Sequence, residues 1–171
     1  MVKKSDFAMI EISYLPVTRW REYKSLRLFA LDTEKFAFSK RYCEEKNLSP
    51  KVWKSRLESN SVVFALDGGE LIGMAAFVFS SAKVNQGVAQ IFSVYVIPDM
   101  RKKGVAKKLF NFILKEAKKL RIKKIELSVF ENNLPAKNFY LSCGFKIIGR
   151  NENKFLVEGK HYNEIMMEKL V

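Results

Sequence analysis

Cysteine and histidine are scarce in this chain of 171 residues: it has two cysteines, Cys43 and Cys143, and one histidine, His161. The cysteines lie far apart with no CxxC spacing and no histidine cluster, which excludes a disulfide framework and a zinc site; no metal is expected, and buried reduced thiols are. No stretch approaches the roughly 18 consecutive apolar residues of a membrane span, so no membrane partner is expected. The first ten residues carry Lys3, Lys4 and Asp6 and no long apolar run, so the secretory pattern is missing and a cytoplasmic protein is predicted. Internal repeats, low-complexity tracts and linkers are also lacking, and the length suits one well-filled core, so residues 1–171 read as one domain.

Acid is the minority charge, with 18 Asp plus Glu against 31 Lys plus Arg, a formal +13. Such an excess attracts polyanions without saying anything of fold. Its distribution says more, because the stretch from Arg101 to Lys124 holds Arg101, Lys102, Lys103, Lys107, Lys108, Lys115, Lys118, Lys119, Arg121, Lys123 and Lys124 against Glu116 alone. Most of that run reads as the solvated face of a helix.

What is present is a change of period along the chain. Met9 to Leu15 predicts a first strand. Thr18 can then cap a helix with Trp20, Tyr23, Arg27 and Leu31 on one side, widened by Leu26, Phe29 and Ala30. A second helical piece is predicted over Phe36 to Glu45, and Ser49-Pro50 signals a third, with Val52, Trp53 and Leu57 inward. Val62 to Leu66 and Leu71 to Phe79 flank Asp67-Gly68-Gly69-Glu70 and predict a hairpin. Val88 to Val96 is a strand stopped by Pro98, and Ile125 to Phe130 is another. Between them Ala106, Leu109, Phe110, Ile113, Ala117 and Leu120 form one side of a basic helix. Phe145 to Arg150, Phe155 to Val157 and Tyr162 to Lys169 predict closing strands around a Glu158-Gly159 turn. This order implies a mixed sheet with helices on its faces, its strand-helix-strand unit from Val88 to Phe130 parallel and right-handed.

Chemistry concentrates where that basic helix begins. A helix N-terminus offers unpaired N–H groups and a positive dipole end, a seat for a pyrophosphate. In Arg101-Lys102-Lys103-Gly104-Val105-Ala106, Gly104 permits an unusual φ, Ala106 keeps the approach small, and the three cations add charge. The turn and its surroundings resemble the GNAT superfamily of N-acetyltransferases. The likeness runs from Val94-Tyr95-Val96-Ile97-Pro98 through this turn and Leu109 to Leu127-Ser128-Val129, Asn133, Ala136, Tyr140, Gly144 and Phe145. More loosely, Trp20 to Leu57 is similar to the family's acceptor-side helices, and Gly159-Lys160-His161-Tyr162-Asn163-Glu164 to its closing hairpin.

The resemblance implies an α/β (mixed α+β) domain with a mostly antiparallel sheet of about seven strands, a splayed central parallel pair and about four flanking helices. It also implies acetyl-CoA as co-substrate, held by main-chain groups of Val94 and Val96, by the turn from Arg101 to Ala106, by Asn133 and by Asn138. Tyr140 is implied as the proton donor to the departing thiolate. Its phenol, with an ordinary pKa of ~10, remains protonated at neutral pH. On position alone, Tyr140 reads rather as a core tyrosine, and Asn133 could be a helix N-cap.

Three matters stay open at this level. No carboxylate stands on Val88 to Val96, where Gln90 and Ser93 occupy positions at which some members of the family carry Glu. The proton acceptor is therefore left among Glu44, Glu45, Glu11 and ordered water. The acceptor amine, of a small molecule or of a peptide or protein, is unnamed; Asp32, Glu34, Glu44, Glu45 and Glu58 could receive a cation, and the loop Ser80 to Gly87 could border it. His161 reads as a surface residue. A homodimer is compatible with the family, and no nucleic-acid motif is present. A basic nucleic-acid- or ribosome-associated module, or an acyl-CoA-binding regulator without turnover, is the alternative class.

Overall fold

The computed structural model describes residues 10–79 and 87–171. Among these, seven strands form one sheet: β1 (Glu11–Ser13), β2 (Val62–Asp67), β3 (Glu70–Phe79), β4 (Val88–Val96), β5 (Lys124–Phe130), β6 (Lys146–Val157) and β7 (Lys160–Leu170). Their spatial order is β1-β2-β3-β4-β5-β7-β6, antiparallel throughout except for the parallel pair β4–β5. Five helices accompany it: α1 (Trp20–Thr33), α2 (Tyr42–Glu45), α3 (Pro50–Glu58), α4 (Val105–Lys119) and α5 (Leu134–Ser142).

The central strands are apolar at nearly every position because both faces of the sheet are covered. In β2 the side chains alternate strictly, Val63 and Ala65 into one core, Val62, Phe64 and Leu66 into the other. The first core is closed by α4 and α5 through Leu109, Phe110, Ile113 and Tyr140. The second is closed by α1 and α3 through Tyr23, Leu26, Ala30, Trp53 and Leu57, with Tyr23 set edge-on to both Trp53 and Phe64.

The hairpin expected at Asp67 to Glu70 forms, with Gly68 and Gly69 at φ +56° and +88° as its tight turn requires. Several local expectations change. The helix expected over Phe36 to Glu45 shrinks to α2. Phe36 packs on Phe130 and Tyr162, while Phe38 packs on Tyr95, so tertiary aromatic contacts hold the irregular segment before it. The two strands expected at Phe145 to Arg150 and Phe155 to Val157 are one strand, β6, whose pairing with β7 is interrupted by bulges. Thr18 lies in a 3-10 turn, and α1 starts one residue after Arg19. Ser49 does precede Pro50 at the start of α3, but its side chain makes no capping bond. Phe29, Val52 and Leu120, expected inward, are exposed at the margins of their helices. Met9 and residues 80–86, the expected acceptor-side loop included, lie outside the described residues. Among the described residues no helix is long and apolar enough to cross a membrane.

Candidate active site

Two irregularities of β4 open the sheet. Opposite Ala75 of β3, β4 spends two residues, Ser93 and Val94, where one would do; the partners on either side are Ala76 with Phe92 and Met74 with Tyr95. Ser93 takes a left-handed φ of +54°, uncommon for a residue with a side chain. The bulge reverses the strand's phase, so that Ile91 and Val96 share one core although they are an odd number of residues apart, and Tyr95 enters the other. The second irregularity is the parallel pair itself: β4 and β5 pair only at Val88 with Lys124, Ala89 with Ile125 and Gln90 with Glu126, and then separate.

The separation is a cleft of about 520 Å³. Ile91, Val94, Val129, Ala136 and Tyr140 line it from the α4–α5 core, and Tyr23, Phe38, Val62 and Ala76 from the α1–α3 core. Members of both cores on one cavity mean that it passes through the sheet between the splayed strands.

On the α5 side, Tyr140 is 8% exposed. Burial, with a smaller contribution from Cys143, pushes its phenol well above the ordinary tyrosine range, so it keeps its proton at any physiological pH. Asn133 also lines the cleft. It is an N-cap, accepting from the Ala136 N–H at 3.2 Å, and its amide nitrogen donates to the Phe36 carbonyl at 3.4 Å. Asn138 is exposed on α5 and is not among the residues lining the cleft.

At the head of α4, Gly104 is the N-cap with φ +81°, a conformation that a residue with a Cβ adopts only with strain. A Cβ built there would meet nothing within 4 Å, so the space before the helix N-terminus is open. Val105 is buried in the core and Ala106 half-buried, which anchors the first turn. Lys102 and Lys103 are exposed, Lys102 with φ +60°. Arg101 does something the spacing did not reveal. Its Nε donates to the Val96 carbonyl at 3.0 Å, its terminal nitrogen pairs with Glu34 just beyond α1, and its guanidinium lies over the Tyr95 ring. Arg101 thereby fastens the loop to two parts of the fold. Val96 itself is buried behind the cleft, with its carbonyl engaged by Arg101, whereas Val94 borders the cleft.

The structure thus has open space before the α4 N-terminus and a cleft between β4 and β5. A model of the acetyltransferase (GNAT) family matches residues 24–145. The chain belongs to that family. An L-amino acid N-acetyltransferase from Escherichia coli K12 is 25% identical over 158 residues, which cover 88% of this chain and 93% of the relative. A GNAT-family acetyltransferase from Streptococcus pneumoniae superposes with a TM-score of 0.85 at 19% identity, over 95% of this chain and all of that one. A putative acetyltransferase from Salmonella typhimurium, solved with acetyl-CoA, superposes at 0.81 and 16% identity, over 95% and 94% of the two chains. The GNAT protein is an acetyl-CoA-dependent N-acetyltransferase.

Of the carboxylates left open as proton acceptors, only Glu45 lines the cleft. Glu11 is exposed on the edge strand β1, and Glu44 is exposed and accepts from the Arg41 N–H at 2.7 Å. Glu45 is buried and committed to Arg27 and Arg56. Glu164 is a site residue that no local sequence motif announces. It lies on β7 opposite Phe130, is 8% exposed, lines the cleft, and accepts from the Asn151 amide at 2.8 Å. A signal existed: Ile165 and Met167 alternate into the α4–α5 core, which leaves Glu164 on the α1–α3 face.

Proposed function

We propose that the chain moves the acetyl group of acetyl-CoA to a primary amine of a small molecule or peptide, by direct attack within a ternary complex. The observation that carries this is the passage between β4 and β5, which has Tyr140 on one side of the sheet and Glu164 on the other. Donor and acceptor can enter from opposite faces and meet without either leaving. The E. coli relative is named for acetylating L-amino acids, which supports a small acceptor.

When bound, acetyl-CoA supplies an activated thioester. The N–H groups of the first turn of α4, behind Gly104, receive its diphosphate, with Lys102 and Lys103 adding charge at the rim. The main chain of the Ser93–Val94 bulge, freed from regular pairing, offers N–H groups that polarise the acetyl carbonyl. Asn133 and, more peripherally, Asn138 hold the pantetheine from α5. Glu164 takes the proton that the amine must lose, since an alkylamine is mostly protonated at pH 7. Tyr140 holds a proton at its Oη for the sulfur.

Screening primary amines with acetyl-CoA and reading thiol release tests this. Release with an amine and none without it is the expected result. Tight CoA binding with no release from any amine would favour a non-catalytic acyl-CoA-binding regulator. Gly104→Asp is expected to weaken acetyl-CoA at least about tenfold, because it sets a carboxylate where the phosphates sit, while strain at a left-handed position costs only about 1 kcal/mol. Calorimetry and a retained melting transition check both halves; unaltered affinity would move the phosphate site elsewhere.

A further inference from the structure

The acetyl-transfer reading leaves one cluster on the cleft unused. Arg27 of α1 is 4% exposed and lines the cleft together with Glu45 and Arg56. Its Nε and Nη2 donate to Glu45 at 3.3 and 2.9 Å, and Arg56 donates to the same carboxylate at 2.9 Å. Two guanidiniums on one carboxylate leave a residual positive charge. Nη1 of Arg27 carries the consequence: it is buried and donates to no described group. A buried ionic donor without an acceptor is costly, and an anion from outside relieves it.

The cluster and Glu164 lie on the α1–α3 side of the same cleft, and Phe38, Phe92 and Phe155 line it with them. Phe38 also covers the Arg27 guanidinium, 4.8 Å from its ring centre. The cleft thus holds a cationic cluster and a carboxylate, with aromatic rings beside them. We propose that the acceptor is a zwitterion with an apolar body, its carboxylate received by Arg27 and its ammonium by Glu164. An α-amino acid with a large apolar side chain is the simplest such molecule. The inference rests on the acetyl-transfer reading for its direction and on Arg27 for its specificity.

The test compares L-phenylalanine with L-phenylalaninamide and 2-phenylethylamine, and L-leucine with L-leucinamide, each kcat/KM referred to the unprotonated amine because the amide lowers the amine pKa. The acids are expected to exceed their carboxylate-free counterparts by at least about tenfold, as a site built around a polar group rejects analogues lacking it. Arg27→Gln should bring that ratio to within about threefold of unity. Arg27→Lys, which keeps the charge and loses the fork, should reduce it partially, and this variant reads the proposal if the glutamine variant does not fold. Equal rates for acid and amide in the wild type, or an undiminished ratio in whichever variant folds, would overturn it. Binding of 3-phenylpropionate, read by calorimetry, needs no turnover: capture by the wild type and loss in the variant would support the Arg27 site even if no amine is acetylated. Absence of capture together with absence of turnover would remove both readings.

Discussion

Tyr140→Phe is expected to lower turnover by roughly 10²-fold while leaving acetyl-CoA affinity nearly unchanged. Phe keeps the ring that packs at 5.6 Å from Phe110 and at 6.0 Å from Phe145, so the core around α5 should persist. What disappears is the hydroxyl, which matters only as charge collects on the sulfur. Burial raises the phenol's pKa, and this carries its own signature. In the unfolded chain the phenol loses its proton near pH ~10, whereas the folded protein holds it. Wild-type stability is therefore full below pH ~10 and falls above it, by about 1.4 kcal/mol per unit while the folded phenol stays protonated. The Tyr140→Phe variant should lack that part of the alkaline loss, so denaturation midpoints at about pH 9 and 11, on either side of the free phenol's pKa, separate the two. Wild-type turnover in the variant, with chemistry limiting, would assign the sulfur's proton to another group.

Tyr140 also marks how far the sequence could be read. Strands with strong alternation or flanking turns were legible: β4 was read with its observed bounds, and the hairpin was visible in two adjacent glycines. The start of α4 was legible because Gly104 and the apolar stripe of Leu109, Phe110, Ile113 and Ala117 are local signals. Signals that depend on distant partners were not. Arg101 pairs with Glu34, 67 positions away, so its role as a fastening was hidden behind an expected role as a phosphate ligand. The short α2 escaped because Phe36 and Phe38 are placed by tertiary aromatic contacts rather than by a helical period. Arg27 was legible as a member of the inward stripe of α1. Its burial against Glu45, however, depends on where α2 returns, which no local pattern states.

That buried pair sets the largest expected loss of stability. Glu45→Gln should destabilise the protein by about 3 kcal/mol, since it leaves Arg27 and Arg56 facing each other without a counter-charge. The loss falls at the low end for a broken buried pair because the Arg56 side chain is 32% exposed and can turn to water, whereas Arg27 cannot. For a chain of this size the melting temperature should fall by roughly 6–12 °C. Acid should reproduce part of the loss. Burial raises the Glu45 carboxyl, but the hydrogen bonds and charges of Arg27 and Arg56 outweigh it and hold the folded pKa below the ordinary value. A depressed carboxylate stabilises fully above its unfolded pKa of ~4.3 and loses that contribution as pH falls through the folded value. The wild-type melting temperature should therefore drop more steeply below that point than the variant's, the two curves converging in acid. A double variant, Arg27→Met with Glu45→Gln, should recover part of the deficit at about pH 7, because it leaves no unpaired charge in the buried part of the cluster. If the single variant melts like the wild type, Arg27 is stabilised by water or by the Phe38 ring, and its unpartnered nitrogen would no longer argue for an anionic ligand.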